Sequence, residues 1–178
     1  MIQIANTDSS QQDHRTLILM RHAKSDWAEP SISDHERPLS KRGRRDSVRM
    51  AEWLENIDRI PDLVLCSTSA RTRATLELML DYWDESPAVI NRENLYLASE
   101  DEILREVRTE GADADCVMVL AHNPGISHTA STFADQSIDM PTAAISIFDL
   151  QVDSWSQLGD DVERRFSFFM RPKALTES

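Results

Sequence analysis

The sequence predicts an α/β fold, with a mostly parallel central sheet and helices on both of its faces. Three observations carry that reading. Short, continuous apolar runs recur at TLILM, DLVLC and CVMVLA, the pattern of strands buried on both faces. Helix-length stretches with capping residues separate them. The last third then changes character, because AAISIFDLQV and RRFSFFM stand as two strand-like runs with no helix between them. These two are expected as antiparallel additions to the sheet.

Residues 1–15 are rich in Ser, Gln and Asp and read as a flexible leader. Residues 16–178 then form a single domain, long enough for one real core. Residues 16–20 are the first strand, and 25–39 are a loop holding Pro30 and Pro38. Ser40 N-caps a helix that reaches about Ile57, with Val48, Ala51, Trp53 and Leu54 forming a partial apolar face. Pro61 ends that region, and 62–66 is the second strand. A helix from about Ser69 to Tyr82 carries Leu76, Met79 and Leu80 on one side. Residues 88–96 are weakly strand-like. Ser99 and Glu102 form a capping box for a helix reaching about Thr109. Residues 116–121 are the third strong strand, followed by a helix from about Ile126 to Ala134. SWSQLGDD, between the last two runs, is a loop or short hairpin.

The formal net charge is −12. That argues against nucleic-acid binding and against adhesion to anionic membranes. It also means that an anion site must be a local basic pocket. No apolar run approaches the ~20 residues of a membrane helix. The N-terminus lacks the basic-then-apolar order of a secretory signal. Cys66 closes one apolar run and Cys116 opens another, and they belong to no Cys-x-x-Cys pair. They read as free thiols of a cytoplasmic protein, with no structural zinc.

Ligands of open parallel sheets bind beyond the carboxyl ends of the strands. Arg21 and His22 stand there after the first strand, Ser67, Thr68 and Arg71 after the second, and His122 and Asn123 after the third. Guanidinium groups present forked donors that match phosphate oxygens. Two of them side by side repel unless a dianion lies between. A neutral imidazole next to that dianion can attack phosphorus through one ring nitrogen, while the other keeps its proton in a hydrogen bond to a carbonyl. Charge building on the equatorial oxygens is met by the guanidinium groups and by a second, protonated histidine. No carboxylate–histidine spacing matches a metal site, so the expected chemistry uses neither metal nor cofactor.

Four ordered segments go further. RHAKSDW holds Arg21, His22, Ala23, Ser25 and Trp27; DHERPLSKRG holds Asp34, Arg37, Pro38, Leu39, Ser40 and Gly43. STSARTRAT holds Ser67, Arg71 and Thr75, and AHNPGIS holds His122. With the closing FMRPKAL, they resemble the histidine phosphatase superfamily, and within it the SixA-type phosphohistidine phosphatases, over about residues 16–175. The resemblance implies the phosphoglycerate-mutase-like fold. It implies His22 as the phosphorylated nucleophile and Arg21, Arg71 and His122 as the phosphoryl clamp, with Ser25 and Arg37 as further substrate contacts. The implied partner is a phosphorylated protein, such as a histidine phosphotransfer domain, or a small phosphate ester.

Two departures bear on substrate. Mutase relatives carry Asn where this chain has Ala28, and many members place an acidic residue where it has Asn123. Asn cannot protonate a leaving alkoxide, which leaves Asp34 and Glu93 as the carboxylates to consider. A site without a strong acid suits a phosphoramidate or an activated ester better than a sugar phosphate. A mutase is disfavoured by Ala28 and the short chain, and a non-catalytic phosphate-binding module by the intact quartet. The short stretch between Arg71 and His122 predicts an open site.

The remaining candidates read as structural. His14, His35 and His128 take no role. Asp34 pairs with Arg37 or orients its loop, and Trp27, Trp53 and Trp83 pack. Arg42, Arg44, Arg45 and Arg49 form a solvated helix face able to receive an acidic protein partner. In CSTSAR only four residues lie between Cys66 and Arg71, where a cysteine-phosphatase loop needs five, and none of the four is glycine. Cys66 is therefore not the nucleophile.

Overall fold

The computed structural model describes residues 14–29, 31–159 and 161–175. Most of the expected leader, residues 1–13, lies outside the described residues. The elements are β1 (His14–Arg21), α1 (Lys41–Asn56), β2 (Leu63–Ser67), α2 (Ala70–Leu80), β3 (Ala88–Arg92), α3 (Glu100–Glu110), β4 (Cys116–Ala121), α4 (Gly125–Ala134), β5 (Ile145–Gln151) and β6 (Arg164–Met170). The six strands form one sheet in the order β3-β2-β4-β1-β5-β6. β1, β2, β3 and β4 run parallel. β5 lies antiparallel against β1, and β6 antiparallel against β5. This is the mixed α/β fold of the phosphoglycerate-mutase type.

Side chains alternate across the strands with a period of two. Leu17, Leu19, Leu63, Leu65, Val117 and Val119 face one core with Ile103, Val107, Ile126 and Phe133 of α3 and α4. Ile18, Met20, Val64, Cys66, Met118 and Leu120 face the other with Met50, Leu54, Leu76 and Met79 of α1 and α2. Both faces are buried, so the strands read as unbroken apolar runs.

The structure moves some boundaries. β1 starts two residues before the expected domain edge, because His14 and Arg15 pair with Gln151 and Leu150 of β5. The Arg15 guanidinium also donates to the carbonyls of Ala114 and Asp153. α2 ends at Leu80 rather than Tyr82, and both Val48 and Leu80 are only half-buried. The weak stretch 88–96 splits into edge strand β3 and a single 3₁₀ turn, Glu93–Leu95. The two expected caps hold, since Ser40 accepts from the Gly43 amide and Ser99 with Glu102 makes the capping box; Ser69 also caps α2, accepting from the Thr72 amide. Among the described residues, no helix is long and apolar enough to cross a membrane.

Candidate active site

The strand order sets the site. β4 lies between β1 and β2, so the residues that follow these three strands meet at one sheet edge. The loop after β1 is held from several sides. The Arg21 and His22 amides donate to the carbonyls of Ala144 and Ala121. The Ala23 amide donates 3.1 Å to Thr75 Oγ1, which itself donates 2.7 Å to the Arg71 carbonyl. Thr75 thereby ties the histidine loop to the arginine helix.

His22, Arg71 and His122 are buried together. The His22 and His122 ring centroids are 5.1 Å apart. His22 Nδ1 lies 2.8 Å from the Ala23 carbonyl oxygen. A carbonyl only accepts, so Nδ1 carries the proton and Nε2 keeps its lone pair. Arg71 Nε donates to that Nε2 at 3.3 Å. His122 has the other tautomer. Its Nδ1 accepts from Arg71 Nη2 at 3.3 Å, so Nε2–H donates to Ser67 Oγ at 2.8 Å.

Burial is the main cause holding the His22 imidazole down at about 4, reinforced by Arg71 and Arg21 against the Ala23 carbonyl and Asp34. Burial likewise holds His122 at about 3, with His22 and Arg71 adding to it. Both rings are neutral at pH 7. A dianion set among them favours their charged forms and raises both. Arg21 donates through Nη1 to the Met140 carbonyl at 2.9 Å. Its Nε is buried without a partner among the described residues.

Asp34 reaches the same cluster. Its carboxylate accepts from Tyr96 Oη at 2.7 Å, from Arg71 Nη2 at 2.9 Å and from Arg37 Nη1 at 3.1 Å. The Tyr96 hydrogen bond, with Arg71 and Arg37, holds the carboxyl below its usual range despite some desolvation. Asp34 is thus an ionised acceptor and not a proton donor. Glu93 is exposed in the turn after β3 and does not line the pocket. His35, expected to take no role, bonds Thr68 Oγ1 at 3.1 Å and packs edge-on against Tyr96.

Arg21, His22, Asp34, Arg71 and His122 line a pocket of about 220 Å³ that also includes Ser25, Trp27, Arg37, Leu97 and Asn123. All six expected site residues, Arg21, His22, Ser25, Arg37, Arg71 and His122, come together in it. Trp53 and Trp83 pack in the core as expected, but Trp27 does not. It is exposed, with the Arg37 guanidinium 3.3 Å from its ring centroid, because the proline-bearing loop carries it away from the core. Sequence reasoning missed Tyr96 and Leu97. They follow β3, and the strand-end rule would have found them had that edge strand been apolar enough to stand out. Cys66 is buried, and desolvation pushes its thiol up to about 12, which leaves it unreactive. A larger cavity, about 510 Å³, lies at the opposite end of β1, where Asp149 is ion-paired with Arg59 and Arg165.

Comparison with known proteins agrees with this geometry. A family model for the histidine phosphatase superfamily (branch 1) matches residues 17–96. An uncharacterised chloroplastic protein of Arabidopsis thaliana is 32% identical over 152 residues, covering 80% of this chain and 70% of its own. An uncharacterised Mycobacterium tuberculosis protein is 35% identical over 127 residues, covering 71% and 76%. The SixA structure from Nakamurella multipartitia, provisionally assigned as a phosphohistidine phosphatase, superposes with a TM-score of 0.79 at 30% identity, over 90% of this chain and 98% of its own. A protein histidine phosphatase SixA solved with tungstate shares the fold at a TM-score of 0.74 and 22% identity, over 90% and 99%. The fold, the matched segments and these relatives agree: the chain belongs to the histidine phosphatase superfamily and, within it, to the SixA-type phosphatases.

Proposed function

We propose that this phosphatase works through a phosphorylated His22 and that its preferred substrate is phosphohistidine carried on a protein, such as a histidine phosphotransfer domain. The observation that carries the reading is the His22 tautomer. Nδ1–H is committed to the Ala23 carbonyl, and the Nε2 lone pair faces the Arg71 guanidinium. A phosphoryl group held by Arg71 and Arg21 would sit against that lone pair, and the buried Arg21 Nε would gain an acceptor.

In the first step Nε2 bonds to phosphorus as the bond to the leaving group breaks. The leaving group departs with the electron pair: an imidazole already protonated on its other ring nitrogen leaves as neutral imidazole, and an ester oxygen takes its proton from water. Arg21, Arg71 and a His122 that takes a proton from water once the dianion beside it favours the imidazolium hold the equatorial oxygens. In the second step water attacks the phosphohistidine, phosphate leaves, and Nε2 recovers its lone pair. His22 is the nucleophile, so the route needs no metal-activated water. Ser25 and Arg37 line the same pocket as further phosphate contacts.

The leaving group follows from Asp34. Its carboxyl is held ionised, so it is no source of a proton for an alkoxide. An imidazole that already carries its proton leaves without that help. This favours phosphohistidine over sugar phosphates, with activated small esters as poorer substrates. The unpaired thiols of Cys66 and Cys116 fit a reducing, cytoplasmic setting.

The test compares wild type with His22→Ala on a phosphohistidine peptide and on para-nitrophenyl phosphate. Wild type should release phosphate and carry an acid-labile phosphoryl label during turnover, and the variant should do neither. Equal turnover by both proteins removes His22 from the mechanism, and complete loss of wild-type activity in a chelator removes the metal-free route.

A further inference from the structure

Among the described residues, the two most exposed large apolar side chains are Trp27, at 67%, and Leu97, at 53%. Both line the His22 pocket. Elsewhere its wall is charged or polar, with Arg21, Lys24, Asp34, Arg37 and Arg71. Two large apolar groups kept in water at the mouth of a charged pocket point to a ligand with an apolar part outside its anion.

Their setting supports this. Arg37 lies over the Trp27 ring, and Arg37 is itself held by Asp34 at 3.1 Å. One face of the indole is therefore pinned while most of the ring remains open to solvent. Leu97 has φ 52°, a left-handed conformation that disfavours leucine, and it gains no burial there. The loop bearing Trp27 leads to α1, and the loop bearing Leu97 leads to α3. These helices pack on opposite faces of the sheet, so the two loops come to the pocket from elements on opposite sides of it.

We propose that Trp27 and Leu97 form a leaving-group subsite, an apolar clamp that takes the planar ring bearing the phosphoryl group, namely the imidazole of a phosphorylated histidine side chain. The clamp rests on the reading of the pocket as a phosphoryl site. An imidazole ring offers a face to the open side of the indole, and Leu97 closes over the other. Acetyl phosphate has no ring to place there. Trp27 and Leu97 thereby act on substrate choice, and His22 and the arginines act on the phosphoryl group.

Two measurements test the clamp. The first is the ratio of kcat/KM for a phosphohistidine peptide to kcat/KM for acetyl phosphate. Trp27→Ala and Leu97→Asn should each lower that ratio by about three- to tenfold, and Trp27→Phe should keep most of it. The second needs no turnover. Trp53, Trp83 and Trp155 are buried, so Trp27 dominates the tryptophan fluorescence that acrylamide quenches. Phenylphosphonate should shield Trp27 from acrylamide, and inorganic phosphate should not. An unchanged ratio in both variants, or equal shielding by the two ligands, overturns the clamp while leaving the phosphoryl site standing. If calorimetry finds that neither ligand binds, the phosphoryl reading fails and the clamp fails with it.

Discussion

His22 and His122 differ from surface histidines in one physical respect: burial beside two guanidinium groups opposes their protonation. Their folded values, about 4 and about 3, lie below the ordinary 6.5. Between those values the unfolded chain binds protons that the folded chain refuses. Stability is then unaffected above about pH 6.5 and falls as pH drops toward 4. The urea midpoint should be lower at pH 5 than at pH 7.5, and this difference should shrink in His122→Asn. Asp34 makes a second residue-scale prediction. Its charge is paired with Arg71, where it repels an incoming dianion. Asp34→Asn should tighten inhibition by inorganic phosphate by about three- to tenfold, the size expected for one partly screened charge a few ångströms away. Weaker inhibition would mean that Asp34 positions Arg71 rather than opposing the ligand. The chemistry-bearing residues were legible because Arg, His and their strand-end positions are local facts. The tautomer of His122 was not, since its partners, Ser67 and Arg71, are 55 and 51 residues away in the chain.

At the scale of elements, α1 illustrates how a helix start can hold a catalytic loop. Ser40 caps the helix through the Gly43 amide, and both its amide and its hydroxyl donate to the Lys24 carbonyl, two residues beyond His22. Gly43 is required by contact rather than by dihedral angle, because a Cβ there would lie 2.2 Å from that same carbonyl oxygen. Ser40→Ala should cost about 1 kcal/mol of stability in denaturant titrations. Gly43→Ala should cost about 1–3 kcal/mol and lower kcat as well, because the loop must move to admit the methyl group. Unaltered kcat in a folded Gly43→Ala protein would separate the helix from the loop. The caps of α1 and α3 were readable from Ser40 and Ser99, since a cap is a short-range hydrogen bond. β3 was faint because it is an edge strand with few buried side chains, and Tyr96 and Leu97 were missed with it.

In the whole molecule, one sheet divides two cores, and β5 and β6 extend it beyond the parallel strands. Phe148 of β5 packs between Phe133 of α4 and Phe166 of β6, with ring centroids 5.6 and 5.2 Å away. Phe148→Ala should lower stability by about 3–5 kcal/mol. Fluorescence and circular dichroism should still report one coincident unfolding transition, whereas two transitions would show that the antiparallel strands fold apart from the rest. By itself the sequence determined which segments are strands, which helices are capped, and which Arg and His residues stand at strand ends. These depend on periodicity and on neighbours a few residues apart. Only the tertiary structure decided that β4 lies between β1 and β2, that Asp34 and Tyr96 meet at Arg71, and that Trp27 stays in water. Those outcomes depend on burial and on partners distant in the chain, and no local pattern encodes them.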